Sequence, residues 1–345
     1  MKIIHLIFFL LVFNFIAYSY CISDKDSTYN NYYDYQKIKK LVLNGKYTDA
    51  DSILDKLLLT GHRSEKTIIL KRILTDYLQS VINKNQINII YKLYSRLDES
   101  LLEQEELESN LYKFQEYMPY LFLIGLNYER NNKKFSAIEI YTQMINFDST
   151  DFLIHFKRGE NYFNSDSIDQ AIFDLNNSIR LNQNFSLSYF TIGNVYTKIE
   201  DYESAYSNYS LIPQAERPSY FHLQMKSAYN NYAAKLIKKG KYDLANKVLS
   251  ESLVLFEDSI DFYKESIFTN RGTANYKLGN YKLAIEDYNS ALLNKADSLE
   301  VIKRRSIVYM DLSDYKNAML DLNFILSREP GNLDYLYKLG ELHYD

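Results

Sequence analysis

Cysteine, proline, glycine and tryptophan are scarce in this sequence. Its 345 residues contain one cysteine, four prolines, ten glycines and no tryptophan. A single cysteine excludes an internal disulfide, so stability must come from packing. So few glycines and prolines argue against a turn-rich all-β fold and against a glycine-rich nucleotide-binding fold. Leucine, isoleucine, lysine and glutamate are abundant, which favours long helices joined by short loops.

An excess of one charge sign is also missing. The chain carries 40 basic and 44 acidic residues, for a formal net charge of -4. The two signs are mixed along the chain, without the basic stripe that a duplex nucleic-acid binder usually shows. We therefore expect no nucleic-acid partner.

Long apolar runs are absent beyond the first residues. The run from Ile3 to Ala17 follows Lys2 and is shorter than the roughly 20 residues that a membrane-spanning helix needs. Ala17 and Ser19 have the small-residue spacing that signal peptidase accepts. We expect a signal peptide at 1–19, a polar linker at 20–30 and an exported protein, periplasmic or secreted. An uncleaved anchor is the alternative.

Cys21 stands just after the apolar run. Bacterial lipoproteins carry their lipid on a cysteine in that place, after a small residue, whereas Tyr20 precedes Cys21 here. Cys21 is therefore a candidate lipid anchor, and a freely secreted form remains open beside a lipid-anchored one. Membrane contact is expected only through this N-terminal anchor.

The main positive feature of the sequence is a repeat. Three glycines follow one another at intervals of 34 residues, each with a tyrosine three residues later and an alanine twelve residues later. These triplets are Gly125, Tyr128 and Ala137; Gly159, Tyr162 and Ala171; and Gly193, Tyr196 and Ala205. Such a period indicates one helical unit that buries its apolar face by stacking on its neighbours.

The stretch from Tyr189 to Tyr209 resembles the tetratricopeptide repeat. It has an aromatic residue, the Ile192-Gly193 pair and Tyr196 in the first helix, and Ala205 and Tyr209 in the second. Tyr189 stands in place of the usual tryptophan. The resemblance implies an all-α, right-handed superhelical solenoid of helix-turn-helix repeats. In each repeat, small residues let the first helix (helix A) approach the second (helix B), and helix A lines an inner groove.

Weaker copies of the pattern extend the array. We expect divergent helical repeats at 31–117, three repeats at 118–212 and three more at 226–332. Pro213 and Pro218 predict a loop at 213–225 between the two sets. The last segment, 333–345, is expected to be a capping helix with a polar outer face.

The resemblance also implies which residues line the groove. By the family's register they are Phe122, Leu126, Phe156, Phe163, Phe190, Asn194, Lys198, Tyr276 and Lys303. An aromatic strip with a polar rim suits a bound peptide or partner helix, and Asn194 would hydrogen-bond the partner's backbone. The alternative, that each phenylalanine only packs against its neighbours, stays open.

A more specific activity of the family, the carboxylate clamp for chaperone C-termini, lacks its residues here. Phe190 stands where the clamp needs a lysine before Asn194, and Ile307 stands where it needs an asparagine after Lys303. The expected partner is therefore a protein or peptide of unknown identity.

Catalytic motifs are missing as well. The five histidines are scattered, and no nucleophile elbow, P-loop or dinucleotide fingerprint is present. His155 replaces an aromatic residue usual in the family and is expected to pack and hydrogen-bond. We expect no catalytic residue, metal or cofactor, and interpret the chain as an interaction scaffold. The alternatives are a lipid-anchored accessory subunit of an envelope assembly and a glycan- or small-ligand-binding protein that uses its many tyrosines.

Overall fold

A computed structural model describes residues 37–59 except 39 and 43, and residues 70–75, 117–217, 219–255, 263–294 and 298–342. The predicted signal peptide, the linker and Cys21 lie outside the described residues, as do most of 31–117. The chain divides into two compact units, unit 1 up to Thr191 and unit 2 from Ile192 onward.

The described regular elements are helices throughout. Unit 1 contains α1 (Tyr47–Leu59), α2 (Met118–Arg130), α3 (Lys134–Phe147), α4 (Phe152–Asn164) and α5 (Ile168–Leu181), and α6 (Ser186–Lys198) crosses into unit 2. Unit 2 continues with α7 (Tyr202–Ser210), a short 3-10 helix (Gln214–Glu216), α8 (Ser219–Lys238), α9 (Tyr242–Leu255), α10 (Lys264–Lys277), α11 (Tyr281–Asn294), α12 (Leu299–Asp311), α13 (Tyr315–Arg328) and α14 (Leu333–Glu341).

Helices adjacent in sequence pack against each other within each unit. This holds for α2 to α5 in unit 1 and for α8 to α14 in unit 2. The prediction of an all-α solenoid of helix-turn-helix repeats is confirmed, because each amphipathic pair buries its apolar face against the next pair.

Turns between helix A and helix B share one backbone conformation, a residue with a positive φ angle. Residue Asn132 has φ of 56° and Asp166 has φ of 61°, the left-handed conformation that ends many helices. The next amide then reaches back to close the helix, as when Ser167 N donates to the Tyr162 carbonyl at 2.9 Å. The recurring helix-A tyrosine therefore lies where its carbonyl receives the capping bond of the turn.

Close approach of the two helices depends on the helix-A glycine. A Cβ atom on Gly125 would lie 2.6 Å from the Tyr141 ring, and one on Gly272 would lie 2.8 Å from the Tyr288 ring. Real Cβ atoms do not tolerate such separations from a packed ring, so glycine is required there. This confirms the packing role expected for the recurring glycine.

The predicted loop at 213–225 is wrong beyond residue 218. Helix α8 begins at Ser219 and runs for 20 residues. Pro218 precedes a helix start, where a proline costs no backbone hydrogen bond, instead of marking the middle of a loop. The described part of the connection between α7 and α8 thus runs only from Leu211 to Arg217.

The outer face of the last helix carries both polar and apolar side chains, whereas the sequence predicted a polar face. Helix α14 ends at Glu341, and no residue in it is buried. Leu333 is 77% exposed and Tyr337 is 68% exposed. Asp334 and Glu341 are exposed on the same helix, while Tyr335 and Leu339 pack against buried residues of α12 and α13.

Candidate interaction surface

Three of the phenylalanines expected in the groove belong to the core. Phe122 and Phe156 are each 1% exposed and Phe190 is 2% exposed. The Phe122 ring lies 5.8 Å from the Tyr141 ring, and Phe156 meets Phe185 edge-on at 5.1 Å. Their placement on an open aromatic strip is therefore wrong, because rings at these positions fill the space between helices.

Leu126 and Phe163 differ from these three, since both are half-buried side chains of helix A in unit 1. Between α2 and α4, Lys157 bridges two carboxylates, at 2.9 Å from Glu129 and 2.7 Å from Glu160. Burial raises the pKa of Glu129, and nearby Glu160 adds to the rise against the opposing effect of Lys157. The accessible helix-A side of unit 1 thus combines apolar and acidic groups.

Asn194 and Lys198 lie on α6 in unit 2. The Asn194 carbonyl oxygen accepts a 2.6 Å hydrogen bond from the Tyr209 hydroxyl. Burial raises the pKa of Tyr209, so this hydroxyl stays protonated and remains a donor. Asn194 is therefore held by helix B, with its amide group still half-exposed, and Lys198 is exposed.

Tyr276 and Lys303 connect successive helix-A elements of unit 2. The Tyr276 hydroxyl donates to Asp311 at 2.8 Å, and this bond raises the pKa of Tyr276 to about 12. Lys303 donates to Glu329 at 2.7 Å and lies 5.5 Å from the Tyr335 ring centre. Both residues are half-buried. We call the surface formed by Tyr276, Lys303, Asp311 and Tyr335 the A face of unit 2.

The structure brings together only part of the predicted set. The A face of unit 2 joins Tyr276 and Lys303 to neighbours on α12 and α14. Within unit 1, Leu126 and Phe163 lie on helices flanking the Lys157 bridge. Phe122, Phe156 and Phe190 are removed from any solvent-accessible surface by their burial.

Sequence reasoning missed a buried charge pair that recurs in three repeats. Each pair joins a helix-A arginine to a helix-B aspartate 16 residues later. The pairs are Arg158 with Asp174, Arg271 with Asp287 and Arg305 with Asp321. The signal was present in the sequence, because each arginine directly precedes the small helix-A residue of its repeat.

His155 takes part in the first of these pairs. Its Nδ1 lies 3.1 Å from the Asp174 carboxylate and its Nε2 lies 3.1 Å from the Ser149 carbonyl. Burial opposes ionisation of Asp174, but hydrogen bonds from His155 and Arg158 outweigh it and hold its pKa below the ordinary value. The expectation that His155 packs and hydrogen-bonds is confirmed.

The described part of the chain has neither a metal-binding cluster nor a membrane-spanning helix. There, no group of three or more His, Cys, Asp and Glu side chains is placed to hold a metal ion. None of the helices described is long and apolar enough to cross a membrane.

Comparison with known proteins agrees with this architecture. The family model for the tetratricopeptide repeat matches residues 265–297, which contain most of α10 and all of α11. The match covers one helix pair of the chain, and its helix-turn-helix character agrees with the fold.

Sequence relatives share only a short segment with it. Serine/threonine-protein phosphatase T of Aspergillus oryzae is 32% identical over 92 residues, 24% of this chain and 19% of that protein. DnaJ homolog subfamily C member 7 of Homo sapiens is 32% identical over 95 residues, 28% of this chain and 19% of that protein. The chain thus matches about a fifth of each relative's length.

A similar solved structure shows the fold. A chain in the structure of Naa15/Naa10 bound to HypK-THB superposes with a TM-score of 0.51 and 14% sequence identity. The match covers 75% of this chain and 39% of that one.

Proposed function

We propose that this protein is an exported, non-catalytic scaffold that binds a protein or peptide partner through the A face of unit 2. The observation that carries the proposal is the arrangement of Tyr276 and Lys303. Each is anchored by a neighbouring carboxylate, Asp311 or Glu329, yet each keeps part of its side chain accessible. Anchored aromatic and cationic side chains lose little conformational entropy on binding, which suits them to an interface.

Unit 1 supplies further candidate contacts. Unlike the buried phenylalanines, the side chains of Leu126, Phe163 and Glu160 are partly accessible to solvent. A chain similar in fold occurs in a structure of Naa15/Naa10 bound to HypK-THB, which agrees with a scaffold that holds a partner.

The experiment is affinity capture of the tagged full-length protein from its native envelope, with identification of what co-purifies. Tyr276→Ala combined with Lys303→Gln should reduce capture of a defined partner at least about tenfold, as expected for loss of anchoring side chains. The matched control is Tyr315→Ala with Lys316→Gln, the same residue types on the exposed side of α13.

Equal loss of capture in both double variants would contradict a role of the A face. Capture of no protein by the folded, exported chain would instead favour a small-ligand or glycan function, which a glycan array then tests.

Export and anchoring are proposals from residues 1–21. The mature N-terminus, measured by mass spectrometry after expression with the native leader, is expected near residue 20. Labelling with palmitate distinguishes the two forms, because only a lipid-anchored protein incorporates label, and Cys21→Ser abolishes it. Recovery of an intact Met1 would contradict cleavage.

A further inference from the structure

A cleft opens on the helix-B side of unit 2, where the repeat is irregular. Helix α7 has nine residues, whereas α3, α5 and α13 have 14 each. Helix α7 stops at Ser210, shortly before Pro213, which has no N–H to continue a helix. A wide-open cleft of about 550 Å³ adjoins the end of this helix, within the range of volumes that ligand sites have. It is lined by Tyr206, Ser210, Arg217, Tyr229, Lys247, Ser250, Glu251 and Val254.

One wall of the cleft carries an unsatisfied cationic donor. Arg217 is fixed in place because its Nε donates to the Ile212 carbonyl at 2.8 Å. Its Nη1 is buried and has no acceptor among the residues that the structure describes. Because this N–H is unsatisfied, a small shift of the Arg217 side chain towards a ligand carboxylate would gain a charge-assisted hydrogen bond.

The opposite wall is aromatic. The Tyr206 ring meets the Tyr229 ring edge-on at 4.8 Å and stacks on the Tyr232 ring at 5.2 Å. Val254 at the lip is 70% exposed. This wall offers an apolar surface in the same cleft as the arginine.

Charge selects the kind of anion. Lys247 adds a second positive charge, and Glu251, 3.9 Å from its Nζ, supplies one negative charge. The Tyr206 hydroxyl donates to Glu251 at 2.7 Å, so that carboxylate already has a hydrogen-bond donor inside the cleft. Two cations and one anion leave a net charge of about +1, which suits a singly charged carboxylate better than a doubly charged phosphate.

We infer that this cleft binds a peptide through a carboxylate placed against Arg217 and Lys247, with an adjoining aromatic side chain against Tyr206 and Val254. The inference rests on the proposed function only in taking a peptide as the ligand. The residues that line the cleft lie on α7, α8, α9 and the connection between α7 and α8, and they do not include Tyr276 or Lys303. They are also not the helix-A positions of the carboxylate clamp.

The experiment uses the full-length protein and three fluorescein-labelled peptides in an anisotropy titration. The first ends in phenylalanine with a free carboxylate, the second is the same peptide amidated, and the third is amidated with aspartate next to the phenylalanine. The first or the third is expected to bind at least about tenfold more tightly than the second. The stronger of the two identifies a chain terminus or a side chain as the source of the carboxylate. Equal binding of all three overturns the inference.

Variants locate the site. Arg217→Gln should weaken the preferred peptide at least about tenfold, and Lys247→Gln about two- to threefold, since Lys247 is exposed. Arg180→Gln, an exposed arginine on α5, is the matched control and should leave binding unchanged.

Because Arg217 also holds the Ile212 carbonyl, a second variant avoids that contact. Val254→Asp places a negative charge at the exposed lip, removes the apolar contact there, and should weaken binding about three- to fivefold. Unchanged affinity in folded Val254→Asp and Arg217→Gln, checked by circular dichroism, overturns the inference. Tyr276→Ala with Lys303→Gln should not alter this titration. A failure of the inferred cleft site is therefore distinguishable from a failure of the proposed function of the A face.

Discussion

The helix pairs α4–α5 in unit 1 and α10–α11 in unit 2 contain the same buried charge pair, completed by different neighbours. Asp174 accepts from Arg158 Nε at 2.7 Å and from His155 Nδ1 at 3.1 Å. Asp287 accepts from Arg271 Nε at 3.0 Å and from Asn275 Nδ2 at 2.8 Å.

The difference shows what a buried carboxylate requires. Both aspartates combine a guanidinium with one further donor, and that donor comes from either end of helix A. His155 stands near the start of α4, whereas Asn275 lies near the end of α10, where unit 1 has Tyr162. Among the described residues, Asp321 of the third pair accepts hydrogen bonds only from Arg305. Pairing with a guanidinium is thus the shared constraint, and the second donor is free to vary.

The largest expected effect comes from removing either carboxylate. Asp174→Asn and Asp287→Asn should each lower the free energy of unfolding by about 3–5 kcal/mol, because each leaves a largely buried arginine unpaired. Urea unfolding followed by circular dichroism measures the loss. Glu300→Gln breaks the exposed Arg304–Glu300 pair and should cost no more than about 0.5 kcal/mol. A loss below about 1 kcal/mol in both aspartate variants would mean that the pairs are not structural.

A smaller effect distinguishes the two glycines of these helix pairs. Gly272→Ala places Cβ 2.8 Å from the Tyr288 ring and 3.2 Å from the Ala284 carbonyl oxygen, whereas Gly159→Ala meets Leu175 at 3.0 Å. Overpacking lowers the free energy of unfolding by about 1–3 kcal/mol. The higher helix propensity of alanine relative to glycine raises it by about 1 kcal/mol. Gly272→Ala should therefore be the more destabilising of the two in the same unfolding assay. Equal stability of the two variants would contradict the packing difference.

The decrease in the free energy of unfolding at acid pH tests whether Asp174 is ionised in the fold. Its pKa is lowered in the folded state, so its contribution is present above the unfolded pKa of about 3.9 and is lost as the pH falls through the folded value. Wild type should lose more stability than Asp174→Asn between about pH 4 and pH 2. Parallel pH profiles for the two proteins would show that Asp174 is not ionised in the fold.

The smallest effect comes from the second donor in unit 1. His155→Phe restores an aromatic residue at that place and removes the hydrogen bond to Asp174 and the contact with the Ser149 carbonyl, while Arg158 remains. The expected cost is about 1 kcal/mol, the usual value of one hydrogen bond. Amide hydrogen exchange in α4 and α5 measures it locally. A loss as large as that of Asp174→Asn would show that His155 and not Arg158 dominates.

Much of the fold follows from a few landmark residues. The recurring Gly, Tyr and Ala predicted the helix pairs, because a glycine against a bulky helix-B side chain is a local steric requirement. The Arg158–Asp174 pair carries an equally regular signal, which the landmarks of the family do not include. The start of α8 was predicted too late because of Pro218, since a proline before a helix and one inside a loop look alike in a sequence.

The surface was harder to predict than the packing. Phe156 and Phe163 are both phenylalanines of α4, yet one is buried and the other is partly accessible. Which of them faces solvent depends on the neighbouring repeat, and here Phe185 covers Phe156.

By itself, the sequence determined the all-α class, the helix-turn-helix period and the need for glycine at the helix crossings. These depend on contacts within one repeat, which recur wherever the pattern recurs. Only the tertiary structure decided which aromatics are buried, how Asp174 and Asp287 are saturated, and that a cleft lined by Arg217 adjoins the end of the short α7. Those properties depend on residues from different helices meeting in space, which the spacing of one repeat does not specify.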